Sequence, residues 1–322
     1  MNKFSFTYLI KDDEMVWNDF YISINLLCKN IINKLNCKYS VELFVDKQPS
    51  ENSKKKIVSI FNKYKNIKIV PNFHIINLAQ VANRPEEAIR PEKYNYLIPI
   101  YFPNPSNNEM PFSLGYRDMC SFFTYPVFNH ESIKNSEYFI RLDTDSFFIN
   151  VNDSFIRKLS NITTDYGYLE GTVQQESSGV HIGFGQTLYD YYKSLNLLTN
   201  ENLKILSEAS YSPKIYYTNF EVVKVSWGSS VINKRFFDLI TNAKGIYKYR
   251  WGDALIRYYL VNLTNASKTI LNGALYKHSG IYDSRQLFRK YISKVYRKIT
   301  KVDYKKNLEN SSSFIDKIFI GL

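Results

Sequence analysis

Residues 137–145 (Glu-Tyr-Phe-Ile-Arg-Leu-Asp-Thr-Asp) form an apolar strand pattern that runs directly into two carboxylates. Open α/β sheets bind ligands in the crevice outside the carboxyl ends of their strands, so Asp143 and Asp145 are expected at a binding edge. Two carboxylates there suit a divalent cation, Mn²⁺ or Mg²⁺, which can neutralise a departing nucleoside diphosphate. The alternative interpretation is a helix cap and a turn, which needs no ligand.

The chain before this stretch alternates between strand and helix patterns. Residues 4–10, 41–46 and 67–70 have strand patterns, and the segments between them have helical periods with one apolar face. This βαβαβ order predicts an α/β fold with a mostly parallel sheet, flanking helices and a Rossmann-like N-terminal half. Asp46 ends the second strand and is therefore a candidate contact for a ribose hydroxyl.

Beyond residue 70 the alternation continues after a proline-rich excursion over 71–112. The residue patterns predict helices at 114–128, 153–160, 187–207, 234–241 and 251–263, and strands at 166–170, 219–225 and 227–232. Neither repeats nor a linker divide this region. We therefore predict one domain over 1–283, with halves 1–145 and 146–283, followed by a tail over 284–322.

Composition narrows the classes of function. The 322 residues are 44% hydrophobic and 22% charged, which excludes a disordered chain. A net charge of +12 favours anionic partners, namely nucleotides, acidic membranes or nucleic acid, although a general excess of Lys contributes to it. Three cysteines without metal-ligand spacing favour a reducing compartment. A strand at the N-terminus and the lack of a long apolar stretch predict a soluble protein without signal peptide or membrane anchor.

Three further residues are candidates on their local sequence. His278 could complete the ligand set of the cation, or be a half-buried imidazole without a ligand. Glu221 has apolar and aromatic neighbours and could face the anomeric carbon of a sugar in retaining chemistry, or be a paired strand residue. Asp253 follows Trp251, as in a sugar-binding groove, or simply caps the 251–263 helix.

These motifs together resemble a known family, the fungal α-1,2-mannosyltransferases of glycosyltransferase family 15. Residues 116–122 (Tyr-Arg-Asp-Met-Cys-Ser-Phe), 141–145 (Arg-Leu-Asp-Thr-Asp) and 219–222 (Asn-Phe-Glu-Val) are similar to its Y-R-H-M-C-R-F, R-V-E-P-D and N-F-E-I blocks. Residues 236–238, 245–254 and 276–278 fit its F-F-D, G-F-Y-Y-E-R-W-G-D-A and Y-Y-H blocks. The matching blocks run in order from about residue 5 to residue 280.

The resemblance implies a GT-A-type fold in which 1–145 binds the nucleotide sugar and 146–283 forms the acceptor and catalytic half. It implies a retaining transfer of mannose from GDP-mannose, dependent on Mn²⁺ or Mg²⁺, to a glycan, glycolipid or glycoprotein. By position in the motifs, the implied roles are cation binding by Asp143, Asp145 and His278, and donor binding by Tyr116, Arg117, Lys11 and Asp46. Glu221 would be the nucleophile or stabilise the oxocarbenium-like centre, and Asp253 would line the reaction pocket or bind acceptor.

The chain departs from the family in several places. It has Asp143-Thr144-Asp145 for E-P-D and Asp118 for the family's His, and it matches poorly over 78–112 and 170–215. These departures leave open a GT-A transferase that uses UDP-glucose or UDP-galactose. A non-catalytic nucleotide or nucleic-acid binder is a third alternative, but the acids of the motifs would repel phosphate without a cation, so no nucleic-acid partner is expected.

Residues 284–301 predict a strongly basic amphipathic helix. Such a helix can lie on an anionic membrane, or dock on the core with its basic face in solvent. We therefore expect a protein that is cytoplasmic or peripheral to a membrane. The excess of Lys, Asn and Ile suggests a bacterial or viral source.

Overall fold

The computed structural model of the chain describes residues 1–89, 114–176 and 180–278. The strands are β1 (Asn2–Ile10), β2 (Tyr39–Val45), β3 (Asn72–Ile75), β4 (Ser136–Leu142), β5 (Ser146–Val151), β6 (Tyr166–Leu169), β7 (Val173–Gln175), β8 (Lys214–Tyr216), β9 (Phe220–Lys224), β10 (Lys268–Leu271) and β11 (Ala274–His278). The helices are α1 (Glu14–Asn30), α2 (Glu51–Asn62), α3 (Leu78–Val81), α4 (Leu114–Thr124), α5 (Glu131–Lys134), α6 (Asp153–Ser160), α7 (Phe184–Ser194), α8 (Asn200–Tyr211), α9 (Val225–Gly228), α10 (Val231–Asn242), α11 (Gly245–Tyr249) and α12 (Asp253–Leu263). Short 3₁₀ helices cover Ile32–Lys34, Glu86–Ile89 and Pro126–Asn129.

Seven strands form one mixed sheet in the order β10-β6-β9-β4-β1-β2-β3. The strands β4, β1, β2 and β3 are parallel to their neighbours in this half of the sheet, whereas β9 is antiparallel to both β4 and β6. Two smaller antiparallel sheets pair β5 with β11 and β7 with β8. The mostly parallel sheet with flanking helices confirms the predicted α/β fold.

The third predicted strand lies later in the chain than expected. The apolar residues Ile67 and Ile69 pack against the core from a non-strand segment, and β3 begins at Asn72. Pro71 stands directly before β3 and has no N–H to donate to a strand ladder, so pairing with β2 starts only after it. The prediction of a strand over 67–70 was therefore wrong.

Two predictions in the C-terminal half were also wrong. The segment 227–232, which ends in the β-branched Val231 and Ile232, is not a strand but covers the end of α9 and the start of α10, because the Ser230 hydroxyl accepts from the Asn233 N–H at 3.3 Å and caps the helix. The expected single helix over 187–207 is two helices, α7 and α8. Asn196, between them, has a φ of 55°, which no helix interior allows.

The two faces of the large sheet bury different kinds of side chain. On the first face, alternate strand residues such as Phe4, Phe6 and Tyr8 pack against α1, α2, α6 and β5, in a core that is almost entirely apolar. On the second face, Phe44 and Phe139 pack against α4, but charged side chains lie among them. The first face therefore anchors the strands, and the second carries the polar chemistry.

A row of five polar residues crosses this second face. The strand register aligns Asn72 of β3 with Glu42 of β2, Thr7 of β1, Arg141 of β4 and Glu221 of β9. Residues in one register row lie on the same face, because side chains alternate along each strand. Glu42, Thr7, Arg141 and Glu221 are all buried, so each charge in the row needs a partner within the protein.

Within the described part of the chain, none of the helices has the length and apolar character needed to cross a membrane. The predicted basic helix over 284–301 lies outside the described residues, as does most of the predicted excursion over 71–112. The division into 1–283 and 284–322 stays a prediction.

Candidate active site

Asp143, Asp145 and His278 meet at the carboxyl end of β4. The imidazole Nε2 of His278 lies 3.0 Å from Asp145 Oδ1 and 3.7 Å from Asp143 Oδ2. One ligand atom from each residue lies within 4.8 Å of the others, close enough for a single cation to bind all three. We call these three residues the edge cluster. The structure thus brings together the three residues assigned to the cation from sequence.

The small β5–β11 sheet brings His278 to the edge cluster. β11 pairs antiparallel with β5 so that His278 lies opposite Ser146, which follows Asp145 directly. The Tyr276 hydroxyl lies 2.8 Å from the Ser146 hydroxyl, and Ser146 donates to the carbonyl oxygen of Asn219 at 2.9 Å. Strand pairing therefore supplies a ligand from a position more than 130 residues along the chain.

The edge cluster is strongly coupled electrostatically. Burial raises the pKa of Asp143, but the Arg141 guanidinium and the His278 imidazole outweigh it and hold that pKa far below its usual range. Burial lowers the pKa of His278, but hydrogen bonds to Asp143 and Asp145 outweigh it and raise the pKa to about 9. Without a cation, the proton on His278 therefore offsets part of the negative charge of the two carboxylates. A cation bound at this position would displace that proton.

The donor atoms suit the implied metal. Two carboxylates and one imidazole, at most about a quarter exposed, offer hard oxygen ligands with one nitrogen, a set compatible with Mn²⁺ and less suited to softer metals that prefer thiolates. The Asn219 amide nitrogen donates to Asp143 Oδ2 at 2.6 Å, so one ligand is already oriented. The residues present therefore fit a divalent cation.

A second group of charges lies below the edge cluster on the second face of the sheet. Arg141 donates from Nε to Asp143 Oδ1 at 3.0 Å and from Nη1 to Asp253 Oδ2. Arg257 donates from Nε to Glu221 Oε2 at 3.0 Å. We call Arg141, Glu221, Asp253 and Arg257 the buried network. Arg141 is the link, since it contacts both groups.

Glu221 lies at the centre of the buried network and is 0% exposed. Its second carboxylate oxygen accepts from Arg257 at 3.4 Å, and the same Arg257 nitrogen donates to the carbonyl oxygen of Phe123 at 2.8 Å. Burial raises the pKa of Glu221, while the charges of Arg257 and Arg141 oppose that change. The structure thus places Glu221 on the strand beside the cluster but encloses its carboxylate with Arg257.

Asp253 is the first residue of α12 and points into the buried network. Its Oδ2 accepts from Arg141 and, at 2.7 Å, from the hydroxyl of Thr218. A carboxylate at a helix N-terminus is further stabilised by the unpaired backbone N–H groups there. Gly245 makes room for this arrangement, since a Cβ at Gly245 would lie 1.8 Å from the Trp251 indole. Only glycine fits at the start of α11, against the Arg250–Asp253 turn.

Tyr116 and Arg117 lie on α4, next to this turn. Arg250 donates to the Tyr116 hydroxyl at 3.1 Å, and its guanidinium carbon lies 5.3 Å from the centre of the tyrosine ring. Arg117 is 1% exposed and donates to the carbonyl oxygen of Tyr247 in α11. Tyr116 therefore stays partly accessible, whereas Arg117 fixes α4 against α11.

Lys11 and Asp46 lie at the carboxyl ends of β1 and β2, both exposed. Asp46 Oδ1 accepts from the backbone N–H of Asp12 at 2.9 Å, which joins the two strand ends. They share the sheet edge with the cluster but have no contact with it among the described residues. Their assignment to the nucleotide stays a prediction.

Several residues of the site had no signal in the sequence. Arg257, Thr218 and Tyr217 belong to no motif of acids or glycines. The contacts of Arg257 and Thr218 arise when α12 packs against β9 and the segment before it, and Tyr217 contacts His278 of β11. Arg141 lies within the quoted motif, and its position before two acids was the local indication that it pairs with a carboxylate. Sequence reasoning found the acids and missed the groups that hold them.

The sheet order, with the acid–histidine cluster at the carboxyl end of β4, is the arrangement expected for the GT-A fold. The sequence model of the family described as glycolipid 2-alpha-mannosyltransferase matches residues 4–286. The chain therefore belongs to this family, which confirms the resemblance seen in the motifs.

Curated relatives and solved structures agree with this assignment. The chain is 26% identical over 156 residues to the probable mannosyltransferase KTR3 of Saccharomyces cerevisiae, covering 47% of this chain and 38% of that protein. It is 25% identical over 154 residues to the O-glycoside alpha-1,2-mannosyltransferase omh1 of Schizosaccharomyces pombe, covering 46% and 39%. These matches span less than half the length of the curated relatives.

The solved structures share the fold over a greater part of the chain. The mannosyltransferase Ktr4p of S. cerevisiae superposes with a TM-score of 0.67 at 20% identity, covering 86% of this chain and 70% of that one. Core-mannan synthase A of Aspergillus fumigatus, in its Mn/GDP form, gives 0.68 at 18% identity, covering 86% and 75%. All four named relatives are fungal, so the comparisons give no support to a bacterial or viral source.

Proposed function

We propose that the protein is a metal-dependent, retaining glycosyltransferase that moves mannose from GDP-mannose to a hydroxyl of a glycan, glycolipid or glycoprotein. The observation that carries this proposal is the edge cluster at the carboxyl end of β4, in a chain of this family. The Mn/GDP form of the Aspergillus fumigatus relative supports the choice of cation and nucleotide.

The edge cluster would hold the cation through Asp143, Asp145 and His278. When bound, the cation supplies positive charge that neutralises the diphosphate as it leaves. Arg141 keeps Asp143 ionised and oriented, so that this ligand is ready before the donor arrives. The partly exposed Tyr116 hydroxyl would contact the diphosphate, and Lys11 and Asp46 would contact the nucleoside at the ends of β1 and β2.

The buried network would act next to the reacting sugar. Glu221 is enclosed by Arg257, which favours stabilisation of the oxocarbenium-like centre over direct attack on it. Asp253 shares Arg141 with Asp143, which joins the network to the cluster, and it would line the reaction pocket or bind the acceptor. Arg117 would act indirectly, by holding α4 and therefore Tyr116 in place.

The experiment that tests this proposal is thermal unfolding with GDP-mannose, GDP, UDP-glucose, UDP-galactose and UDP, each with Mn²⁺ or with EDTA. A ligand that binds only the folded state adds about 2.7 kcal/mol to the free energy of unfolding at a hundredfold excess over Kd. We expect Mn²⁺-dependent stabilisation by GDP and GDP-mannose, absent in Asp143→Ala and kept in Asp238→Asn, whose carboxylate is exposed on α10.

Stabilisation by the uridine compounds alone would mean that the donor is a uridine nucleotide sugar and would leave the fold assignment intact. Unfolding curves that none of the nucleotides moves, with or without Mn²⁺, would contradict the enzymatic function itself.

A further inference from the structure

The segment that leads into β9 contacts both nitrogen atoms of the His278 ring. The Tyr217 hydroxyl lies 3.2 Å from Nδ1, and the side-chain nitrogen of Asn219 lies 2.8 Å from Nε2. The Tyr217 ring also meets the imidazole edge to face, with ring centres 5.5 Å apart and an interplanar angle of 87°. Neither Tyr217 nor Asn219 was a candidate from the sequence.

The contacts of Asn219 and Asp145 show which ring nitrogen of His278 faces the edge cluster. The amide end nearest Asp143 Oδ2, at 2.6 Å, must be the NH₂ group, because an ionised carboxylate only accepts hydrogen bonds. The same NH₂ group lies 2.8 Å from His278 Nε2, and Asp145 Oδ1 lies 3.0 Å from it, so Nε2 faces the edge cluster and binds the carboxylate through a proton when no cation is present. When a cation takes the place of that proton, the remaining ring proton lies on Nδ1, and the Tyr217 oxygen accepts it.

This is the tautomer that a cation ligand requires. A histidine that binds metal through Nε2 needs an acceptor for its Nδ1–H, which sets both the tautomer and the ring orientation. Without that acceptor, the ring could turn about its last torsion, whose preferences are broad. Tyr217 supplies the acceptor from the segment that also carries Asn219, next to Asp143.

We propose that Tyr217 is a positioning residue, whose hydroxyl oxygen holds the Nδ1–H of His278 so that Nε2 faces Asp143 and Asp145. The role rests on the proposed function of the edge cluster as a cation site. Tyr217 is not one of the three residues whose ligand atoms lie within 4.8 Å of one another. It acts only through His278, and its loss weakens cation binding while leaving the ligands themselves in place.

The test compares Tyr217→Phe with Tyr192→Phe, both in the full chain. Each change deletes one hydroxyl, and Tyr192 donates to the backbone oxygen of Leu263 at 3.3 Å, in the helical layer away from the cluster. Calorimetric titration with Mn²⁺ alone is expected to show a Kd raised about 10- to 100-fold in Tyr217→Phe and unchanged in Tyr192→Phe, which is the size seen when partners of metal ligands are removed.

A second readout reports the ring itself. The chain has only four histidines, so the ring ¹⁵N signals of His278 can be assigned by comparison with His278→Gln. With Zn²⁺ as a diamagnetic probe, we expect a protonated Nδ1 and a metal-bound Nε2 in the unchanged protein, and a loss of the single Nδ1–H form in Tyr217→Phe. A purely structural role of Tyr217 would leave this ring spectrum as it was.

Equal Mn²⁺ affinity in Tyr217→Phe and the unchanged protein, or a metal-bound Nδ1 in the unchanged protein, would overturn the role of Tyr217 and leave the proposed function standing. Failure of the unchanged protein to bind Mn²⁺ at all would remove both.

Discussion

The edge cluster and the buried network both combine carboxylates with basic side chains, but they differ in exposure and in charge balance. In the edge cluster, the side chains of Asp143, Asp145 and His278 are 18%, 24% and 22% exposed, and two acids share one imidazole. In the buried network, Arg141, Glu221 and Arg257 are at most 2% exposed, and the acids are matched by two guanidinium groups. The first group has an excess of negative charge at the surface, and the second is close to neutral inside.

This difference indicates which charges can bind a cation and which are already neutralised within the protein. Carboxylates with access to solvent can exchange a proton or water for a cation. Carboxylates without access must be neutralised within the protein, because an unpaired buried charge costs several kcal/mol. Residue type alone does not separate the two roles, whereas access and partners do.

The largest effect is expected from breaking the buried network at Arg257. Arg257→Met leaves Glu221 buried without its guanidinium partner and should lower the free energy of unfolding by about 3–5 kcal/mol. Urea unfolding measures this change. The double variant Glu221→Leu with Arg257→Met should recover most of the loss, because a buried ion pair can often be replaced by apolar groups of similar volume.

Asp238→Asn is the matched control, since it breaks the exposed pair with Lys234 on α10 and should change stability by about 0.5 kcal/mol or less. An Arg257→Met protein as stable as this control would mean that the network contributes little to the fold, and the contrast between the two regions would fail.

A smaller effect should separate the two roles of Glu221. In the stabilising role, Glu221→Gln keeps the shape and should reduce kcat by about 10- to 100-fold, or about 1.4–2.8 kcal/mol, with KM for the donor nearly unchanged. Steady-state transfer kinetics provide the measurement, with Asp238→Asn again as the control.

A nucleophilic Glu221 would behave differently. Glu221→Ala would then lose all transfer and regain it with a small added nucleophile such as azide, with azide ending on the sugar. Such rescue would show that Glu221 reacts directly with the sugar, despite its burial.

The smallest effect is expected at the far end of the polar row, where Glu42 contacts His74 at 2.6 Å and Asn72 at 3.1 Å. Burial raises the pKa of Glu42, but the hydrogen bonds from these residues and from Ser40 outweigh it and leave that pKa below its ordinary value. Because the folded-state pKa is lowered, this stabilisation is present above the unfolded-state pKa and is lost as the pH falls through the folded one.

Glu42→Gln should therefore reduce stability by about 1 kcal/mol at neutral pH and flatten the acid limb of the stability curve. Chemical unfolding from pH 3 to pH 7 provides the measurement. Parallel acid limbs for the variant and the unchanged protein would show that other carboxylates determine the acid sensitivity.

The sequence predicted those elements whose apolar residues recur at the period that the packed core requires. The strands 4–10 and 41–46 were predicted with small errors at their ends, and the helix at 153–160 with the bounds of α6, because their apolar periods coincide with the first face of the sheet. The segment 227–232 was misread because its β-branched residues favour a strand, and a serine cap outweighs that preference locally. The apolar period does not change at Asn196, so it did not indicate that the helix ends there.

Sequence alone determined which acids stand at the end of β4 and which family the chain resembles, since both depend on residues that are neighbours in the chain. Only the tertiary structure decided that His278 joins Asp143 while Arg257 encloses Glu221. Both contacts depend on strand pairing and helix packing between distant segments, and the exposure that separates a cation ligand from an internally paired charge is a property of the packed fold. No local pattern contains that information.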